Sequence, residues 1–138
     1  MKPTESAVSP DQRLVKSVEI GTLCAFYGSL LTAKQRSALL LHYEEDLSLG
    51  EIAEQYGVSR QNVHELITRS AQKLERYEQA LGGVAKARGM LNQLRRAQAL
   101  IQDARAEPAS AQDALAQAHA LLEQMICQQE GEENDHGL

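Results

Sequence analysis

The segment from Leu47 to Arg69 of this 138-residue chain, LSLGEIAEQYGVSRQNVHELITR, has the pattern of two helices joined by a tight turn. Ser48 is followed three residues later by Glu51, the pairing of a capping box, so a helix is predicted to begin directly after Ser48. Gly57 can adopt the left-handed backbone that a tight turn between helices requires. Ser59 can then cap a second helix. The segment therefore predicts a helix-turn-helix.

The second helix of this motif separates an apolar stripe from a polar face. At about 100° per residue, the inner side holds Val63, Ile67 and Leu74. The outward side chains near its start are of the types that contact base edges in the major groove. The candidate nucleic-acid contacts are Ser59, Arg60, Gln61, Asn62, His64, Thr68 and Arg69. A solvated face on a protein-docking module would have the same pattern, so both interpretations stay open.

The charge of the chain argues against a strong, generic DNA-binding protein. It has 14 Lys and Arg against 19 Asp and Glu, a formal net charge of -5. Nonspecific affinity for duplex DNA comes mainly from cations that displace counterions. Carboxylates at Asp46, Glu51, Glu54 and Glu65 surround the motif. Any binding to DNA is therefore expected to depend on a local patch.

The rest of the chain predicts further helices and no strands. Ser9 with Gln12, and Thr32 with Gln35, form two more capping boxes. The expected fold is all-α: a bundle that contains the helix-turn-helix, followed by an antiparallel helical hairpin. The predicted boundaries are a disordered N-terminus at 1–9, the helix-turn-helix domain at 10–82, the hairpin at 83–129, and a disordered acidic tail at 130–138.

The predicted hairpin is thinly apolar and carries a local excess of cations. Its Ala-rich helices bury too little surface to be stable alone, so we expect it to pack on the first domain or on a second copy of the chain, as a homodimer. Lys86, Arg88, Arg95 and Arg96 form a candidate phosphate-binding face. A merely solvated helix face is the alternative.

No pattern of catalysis, metal binding or cofactor binding is found. Cys24 and Cys127 stand far apart without a CxxC pairing, and each is expected to be a small buried apolar residue. The glycines form no phosphate-binding loop. No apolar run reaches the roughly 18 residues of a membrane span. The chain is thus expected to be a cytoplasmic, non-enzymatic protein without membrane insertion.

A longer stretch of the sequence is similar to a known family. From Phe26 to Glu78 the chain contains FYGSLLTAKQ, HYEEDLSLGEIAEQYGVSRQNV and ITRSAQKLERYE. These strings closely resemble the YlxM-like family of bacterial helix-turn-helix proteins. The resemblance implies that the bundle is similar to region 4 of sigma factors. The chain departs from the family pattern at Asn62-Val63-His64, where relatives commonly have Ala-Val-Tyr, and in its Ala-rich hairpin.

The resemblance implies a role in co-translational protein targeting. The family is encoded beside the genes for the signal recognition particle and its receptor, and is thought to assist that pathway. The implied function is that of an accessory or regulatory protein that binds the particle's RNA or its GTPase. A transcription regulator that uses the helix-turn-helix on DNA is the alternative. A third possibility is a scaffold in which the motif only packs.

Overall fold

The computed structural model describes residues 9–135, and its regular structure in that range is helical. The six α-helices are α1 (Pro10–Tyr27), α2 (Ala33–Tyr43), α3 (Leu49–Tyr56), α4 (Arg60–Leu81), α5 (Gly83–Ala106) and α6 (Ala111–Asp135). Short 3-10 turns lie at Gly28–Leu30 and Pro108–Ser110. The chain divides into two compact units, Met1–Val84 and Ala85–Leu138. The predicted all-α fold is confirmed.

Side-chain caps explain where the first three helices begin. Ser9 and Thr32 each accept a bond from the amide of a glutamine three residues on, and each glutamine side chain accepts from the amide of the capping residue. Both predicted capping boxes are therefore formed. Ser48 accepts from the amide of Glu51 at 3.1 Å, but the return bond is not formed. The box at α3 is only half complete, and the hydroxyl alone caps this helix.

The first unit is built around a core to which all four of its helices contribute. Ile20 of α1, Leu39 of α2, Ile52 of α3 and Leu74 of α4 are at most 1% exposed. The N-terminal half of α1 does not share in this core, because Leu14, Val15 and Val18 are 60–67% exposed. The contribution of α1 to the core therefore comes from its C-terminal half, where Ile20, Leu23, Cys24 and Tyr27 are buried.

The second unit is an antiparallel hairpin of α5 and α6. The Lys86 ammonium near the start of α5 lies 3.7 Å from the Glu132 carboxylate near the end of α6. Met90 of α5 and Met125 of α6 both line a groove of about 630 Å³ between the two helices. The buried side chains of this unit, within the described residues, are Ala97, Ala104, Ala118 and Met125.

Helix α6 is longer than its sequence predicts. It continues to Asp135 and so includes most of the segment predicted as a disordered tail. Glutamate is a good helix former. In this last part of α6, Glu132 forms an ion pair with Lys86 of α5. Ser9, also predicted to be disordered, is the ordered N-cap of α1. The rest of the predicted disorder, at residues 1–8 and 136–138, lies outside the described residues.

None of the helices within residues 9–135 has both the length and the apolar character needed to cross a membrane.

Candidate nucleic-acid interface

The turn of the helix-turn-helix is set by three residues between α3 and α4. Gly57 has φ +64°, the left-handed conformation that L side chains rarely adopt. The amide of Val58 donates to the Ala53 carbonyl at 3.1 Å, which closes the C-terminal end of α3. Ser59 then accepts from the amide of Asn62 at 3.1 Å and caps α4. The chain thus reverses direction within three residues and presents the start of α4 on the surface.

Helix α4 is held in place by one continuous buried side. Val63 and Leu74 are fully buried, and Ile67 is 5% exposed. Ser70 lies on the same side, and its buried hydroxyl donates to the Leu66 carbonyl at 2.6 Å. Because no buried polar side-chain atom on this side lacks a hydrogen-bond partner, the helix packs on the core without leaving a polar group unsatisfied. Its opposite side is therefore presented in a defined orientation.

All seven side chains predicted on this helix are exposed and share one unit. They are Ser59, Arg60, Gln61, Asn62, His64, Thr68 and Arg69. Among the described side chains, no carboxylate lies within 4.0 Å of Arg60 or Arg69, since the ion pairs found there involve other residues. Both guanidinium groups are thus available to a ligand. Ser59 differs from the rest because its hydroxyl is engaged as the cap of α4.

A further cation beside this face was missed by the sequence analysis. A groove of about 310 Å³ lies between the start of α2 and α4, and Lys34, Asn62 and Arg69 are among the residues that line it. The Lys34 ammonium lies 5.8 Å from the centre of the Tyr56 ring, within reach of a cation–π contact. The Tyr56 hydroxyl in turn donates to the Ser37 hydroxyl at 2.9 Å. Lys34 is therefore held at the rim of the α4 face.

The electrostatics of this face are mixed. Lys34, Arg60 and Arg69 supply three positive charges, whereas Glu65 lines the same groove and Glu54 is exposed on α3. At the Debye length of about 8 to 10 Å, these carboxylates act on any phosphate that approaches the arginines. The arrangement suits a few specific contacts with a polyanion better than broad attraction to it.

The four cations proposed on the hairpin do not form one face. Successive residues of a helix are rotated by about 100°. Arg88 and Arg95, seven residues apart, therefore lie on one side of α5, while Lys86 lies on nearly the opposite side and Arg96 between them. Lys86 is also paired with Glu132. The predicted phosphate-binding face of α5 is thus reduced to separate cations, in a unit that does not contain α4.

The cysteines and histidines show no catalytic arrangement in the described part of the chain. Cys24 is buried, and burial raises the pKa of its thiol. Cys127 is exposed, so its predicted burial is wrong. It lies nine residues after the buried Ala118 and therefore on the opposite side of α6. Nδ1 of His42 lies 2.9 Å from the Leu47 carbonyl and braces the turn after α2. No group of three or more His, Cys, Asp or Glu side chains is placed to hold a metal among the residues described.

Comparison with known proteins gives the family. The model of the UPF0122 family, described as "Putative helix-turn-helix protein, YlxM / p13 like", matches residues 14–118. This range extends from α1 into α6 and so includes the whole helix-turn-helix and most of the hairpin.

Individual relatives agree with the family match. A UPF0122 protein of Symbiobacterium thermophilum is 46% identical over 101 residues, which cover 73% of this chain and 92% of the relative. A UPF0122 protein of Desulforamulus reducens is 54% identical over 68 residues, 49% of this chain and 58% of the relative. One of Geobacillus kaustophilus is 51% identical over 73 residues, 53% of this chain and 66% of the relative. The chain thus spans about three-fifths to two-thirds of the length of some of these relatives. With the turn geometry of α3 and α4, these matches show that the chain belongs to the UPF0122 family of YlxM-like helix-turn-helix proteins.

Proposed function

We propose that this protein is a noncatalytic regulator that binds nucleic acid through the N-terminal half of α4. The observation that carries the proposal is the exposed start of α4, where Arg60, Gln61 and Asn62 follow the Ser59 cap while the other side of the helix is fully buried. These are the side chains that make paired hydrogen bonds to bases in the major groove. Lys34 and Arg69 flank them and fit a role in phosphate contact.

We propose further that the protein acts in the signal recognition particle pathway, on the particle's RNA or on its GTPase. The support for this step is the resemblance of residues 26–78 to the YlxM-like family. The geometry of α4 does not itself select this ligand.

Duplex DNA is the second candidate ligand, and the geometry of α4 favours it. An α-helix fits the major groove of B-form DNA, whereas the major groove of an A-form RNA helix is too deep and narrow for side chains to read. The first turns of α4 point outward with Arg60 and Gln61 exposed, as a helix that enters a groove requires. RNA would instead have to offer single-stranded bases or its phosphate backbone.

Fluorescence anisotropy would test these proposals with two labelled ligands, the particle's RNA and a mixed-sequence DNA duplex, each at low and at physiological salt. The RNA is measured with and without the particle's GTPase. For Arg60→Ala we expect binding about 5- to 150-fold weaker, because one good contact to a base contributes about 1–3 kcal/mol. Arg76→Ala is the matched control, since Arg76 is exposed on the same helix several turns away. It should change affinity by less than about twofold.

The salt dependence gives an independent check. Three cations line the face, so the logarithm of the affinity for a duplex should fall with the logarithm of salt with a slope of about -2 to -3. Binding of the RNA that persists at physiological salt and depends on Arg60 would support the targeting role. Binding of the duplex alone would support the second candidate. If neither ligand binds, or if Arg60→Ala and Arg76→Ala behave alike, binding of nucleic acid through α4 is refuted.

A further inference from the structure

In the second unit, small side chains are buried while large apolar side chains are exposed. Among its described residues, three of the four buried side chains are alanines, Ala97, Ala104 and Ala118. The large apolar side chains are outside: Leu91, Leu94, Ile101, Leu115 and Ile126 are 39–57% exposed. Burial of a leucine or isoleucine side chain stabilises a protein more than burial of an alanine, because it removes more apolar area from water. The hairpin therefore leaves its most stabilising apolar surface exposed.

These exposed side chains lie on one side of the hairpin. Leu94 follows Gln93, which lines the groove between α5 and α6, and Ile101 follows the half-buried Leu100. Leu115 follows Ala114 in the same way on α6. Because the two helices run in opposite directions, the same step of one residue turns both toward the same side of the hairpin. The hairpin therefore presents a two-helix apolar face, which a further pair of helices would cover.

Charged residues border this face on both helices, with opposite signs. Arg88 and Arg95, seven residues apart, lie one step outward from the apolar positions of α5. On α6, Glu123 lies one step outward from Leu122, and Glu130, seven residues further on, lies on the same side of the helix. All four side chains are exposed. In coiled-coil and bundle interfaces, such flanking positions select the partner and its orientation.

The register of the hairpin sets the arginines and the glutamates at equal heights. Lys86 pairs with Glu132 across the hairpin. Two residues on from Lys86 is Arg88, and two residues back from Glu132 is Glu130. Arg95 lies nine residues after Lys86, and Glu123 lies nine residues before Glu132. Because both helices rise by the same distance per residue, each arginine lies level with one glutamate.

We propose that the apolar face of the hairpin binds the same face of a second copy of this chain, forming an antiparallel four-helix bundle in which α5 of each copy packs on α6 of the other. A twofold axis parallel to the helices keeps heights unchanged, so Arg88 meets Glu130 of the second copy and Arg95 meets Glu123. A twofold axis perpendicular to the helices would set α5 against α5 and bring arginine onto arginine, which disfavours that arrangement. The proposal is independent of nucleic-acid binding by α4.

Sedimentation velocity of the full chain tests this proposal with two charge-reversed variants. One carries Arg88→Glu and Arg95→Glu, and the other carries Glu123→Arg and Glu130→Arg. The unaltered chain should be a dimer. In either variant alone, four attractive pairs become repulsive, and we expect its dimer dissociation constant to rise about 100-fold. In a mixture of the two variants every pair is attractive again, so a heterodimer should form with nearly the original affinity.

Arg96→Glu is the matched control. Arg96 is exposed and next to Arg95, but it lies on the flank of α5 away from the apolar face. It should leave the dimer intact, and the helical circular dichroism of every variant should equal that of the unaltered chain. The proposal is overturned if the unaltered chain is a monomer, if Arg96→Glu weakens the dimer as much as the paired arginine variant, or if mixing restores no heterodimer.

Discussion

The junction between α4 and α5 gives a sharp test of the packing of the first unit. A Cβ atom on Gly83 would lie 2.8 Å from the Tyr27 hydroxyl oxygen. That hydroxyl cannot easily withdraw, because it donates to the Glu78 carboxylate at 2.6 Å and accepts from the Gly83 amide at 2.9 Å. Its ring is buried and lies 6.1 Å from that of Tyr77. Gly83→Ala must therefore displace a side chain that is held at several points.

The expected cost follows from two opposing effects. Ordinary van der Waals contacts of a Cβ atom are 3.4–4 Å long, so the 2.8 Å approach is too close. Such overpacking costs about 1–3 kcal/mol. Alanine recovers up to about 1 kcal/mol over glycine through helix propensity. We expect a net destabilisation of about 1–2 kcal/mol, which for a unit of this size lowers Tm by about 4–16 °C.

Urea unfolding followed by tyrosine fluorescence is the suitable assay. The chain has no Trp, and its four tyrosines, Tyr27, Tyr43, Tyr56 and Tyr77, all belong to the first unit. Gly50→Ala is the control, because a Cβ there would approach no atom closer than 3.9 Å. In a Tyr27→Phe background the colliding oxygen is absent, so Gly83→Ala should cost distinctly less. Equal stabilities of the Gly83 and Gly50 variants, or the same cost in both backgrounds, would refute this account of the junction.

Three smaller predictions can be checked with little material. A thiol reagent should modify Cys127 rapidly in the folded protein and Cys24 only on unfolding, since burial hinders access to Cys24 and raises its pKa. The pKa of Tyr27 is raised by its hydrogen bond to Glu78, and the pKa of Tyr43 is raised by partial burial. The un-ionised tyrosines therefore stabilise the fold below pH about 10, and the urea midpoint should fall as the pH rises above that value. The absorbance of tyrosinate would report the ionisation of these side chains over the same range. Ser59→Ala should destabilise the first unit by about 1 kcal/mol in the same urea assay.

Local signals explain why the helix-turn-helix could be predicted from the sequence. Its turn depends on Gly57 and on the caps Ser48 and Ser59, each of which acts on atoms at most four residues away. Such interactions are visible in a single sequence, because spacing alone brings the partners together. The incomplete capping box at Ser48 shows the limit of this reasoning, since the return bond depends on how the Glu51 side chain is oriented.

Tertiary packing explains what the sequence did not reveal. Lys34 joins the α4 face because the start of α2 packs beside α4, and no local spacing indicates that approach. The sequence predicted an amphipathic hairpin but could not indicate which apolar residues α5 and α6 bury against each other. Ala97 and Ala118 are buried while Leu94 and Leu115 are exposed. The periodicity of the sequence locates an apolar stripe, whereas the crossing angle and separation of the helices determine which of its residues are buried.

The exposed arginines of α5 separate the two ways in which a cationic helix can act. If α5 bound the phosphates of RNA, Arg95 and Arg96 would contribute similarly, because a phosphate-tracking surface responds mainly to charge and little to exact position. If α5 packs on a second copy, only Arg95 is positioned to meet Glu123 of that copy, and Arg96 makes no contact with it. Arg95→Glu and Arg96→Glu change the net charge equally, so a difference between them in oligomeric state cannot be an effect of total charge. A large effect of Arg95→Glu on dimerisation, with none from Arg96→Glu, would assign this arginine row to protein contact and leave α4 as the surface for nucleic acid.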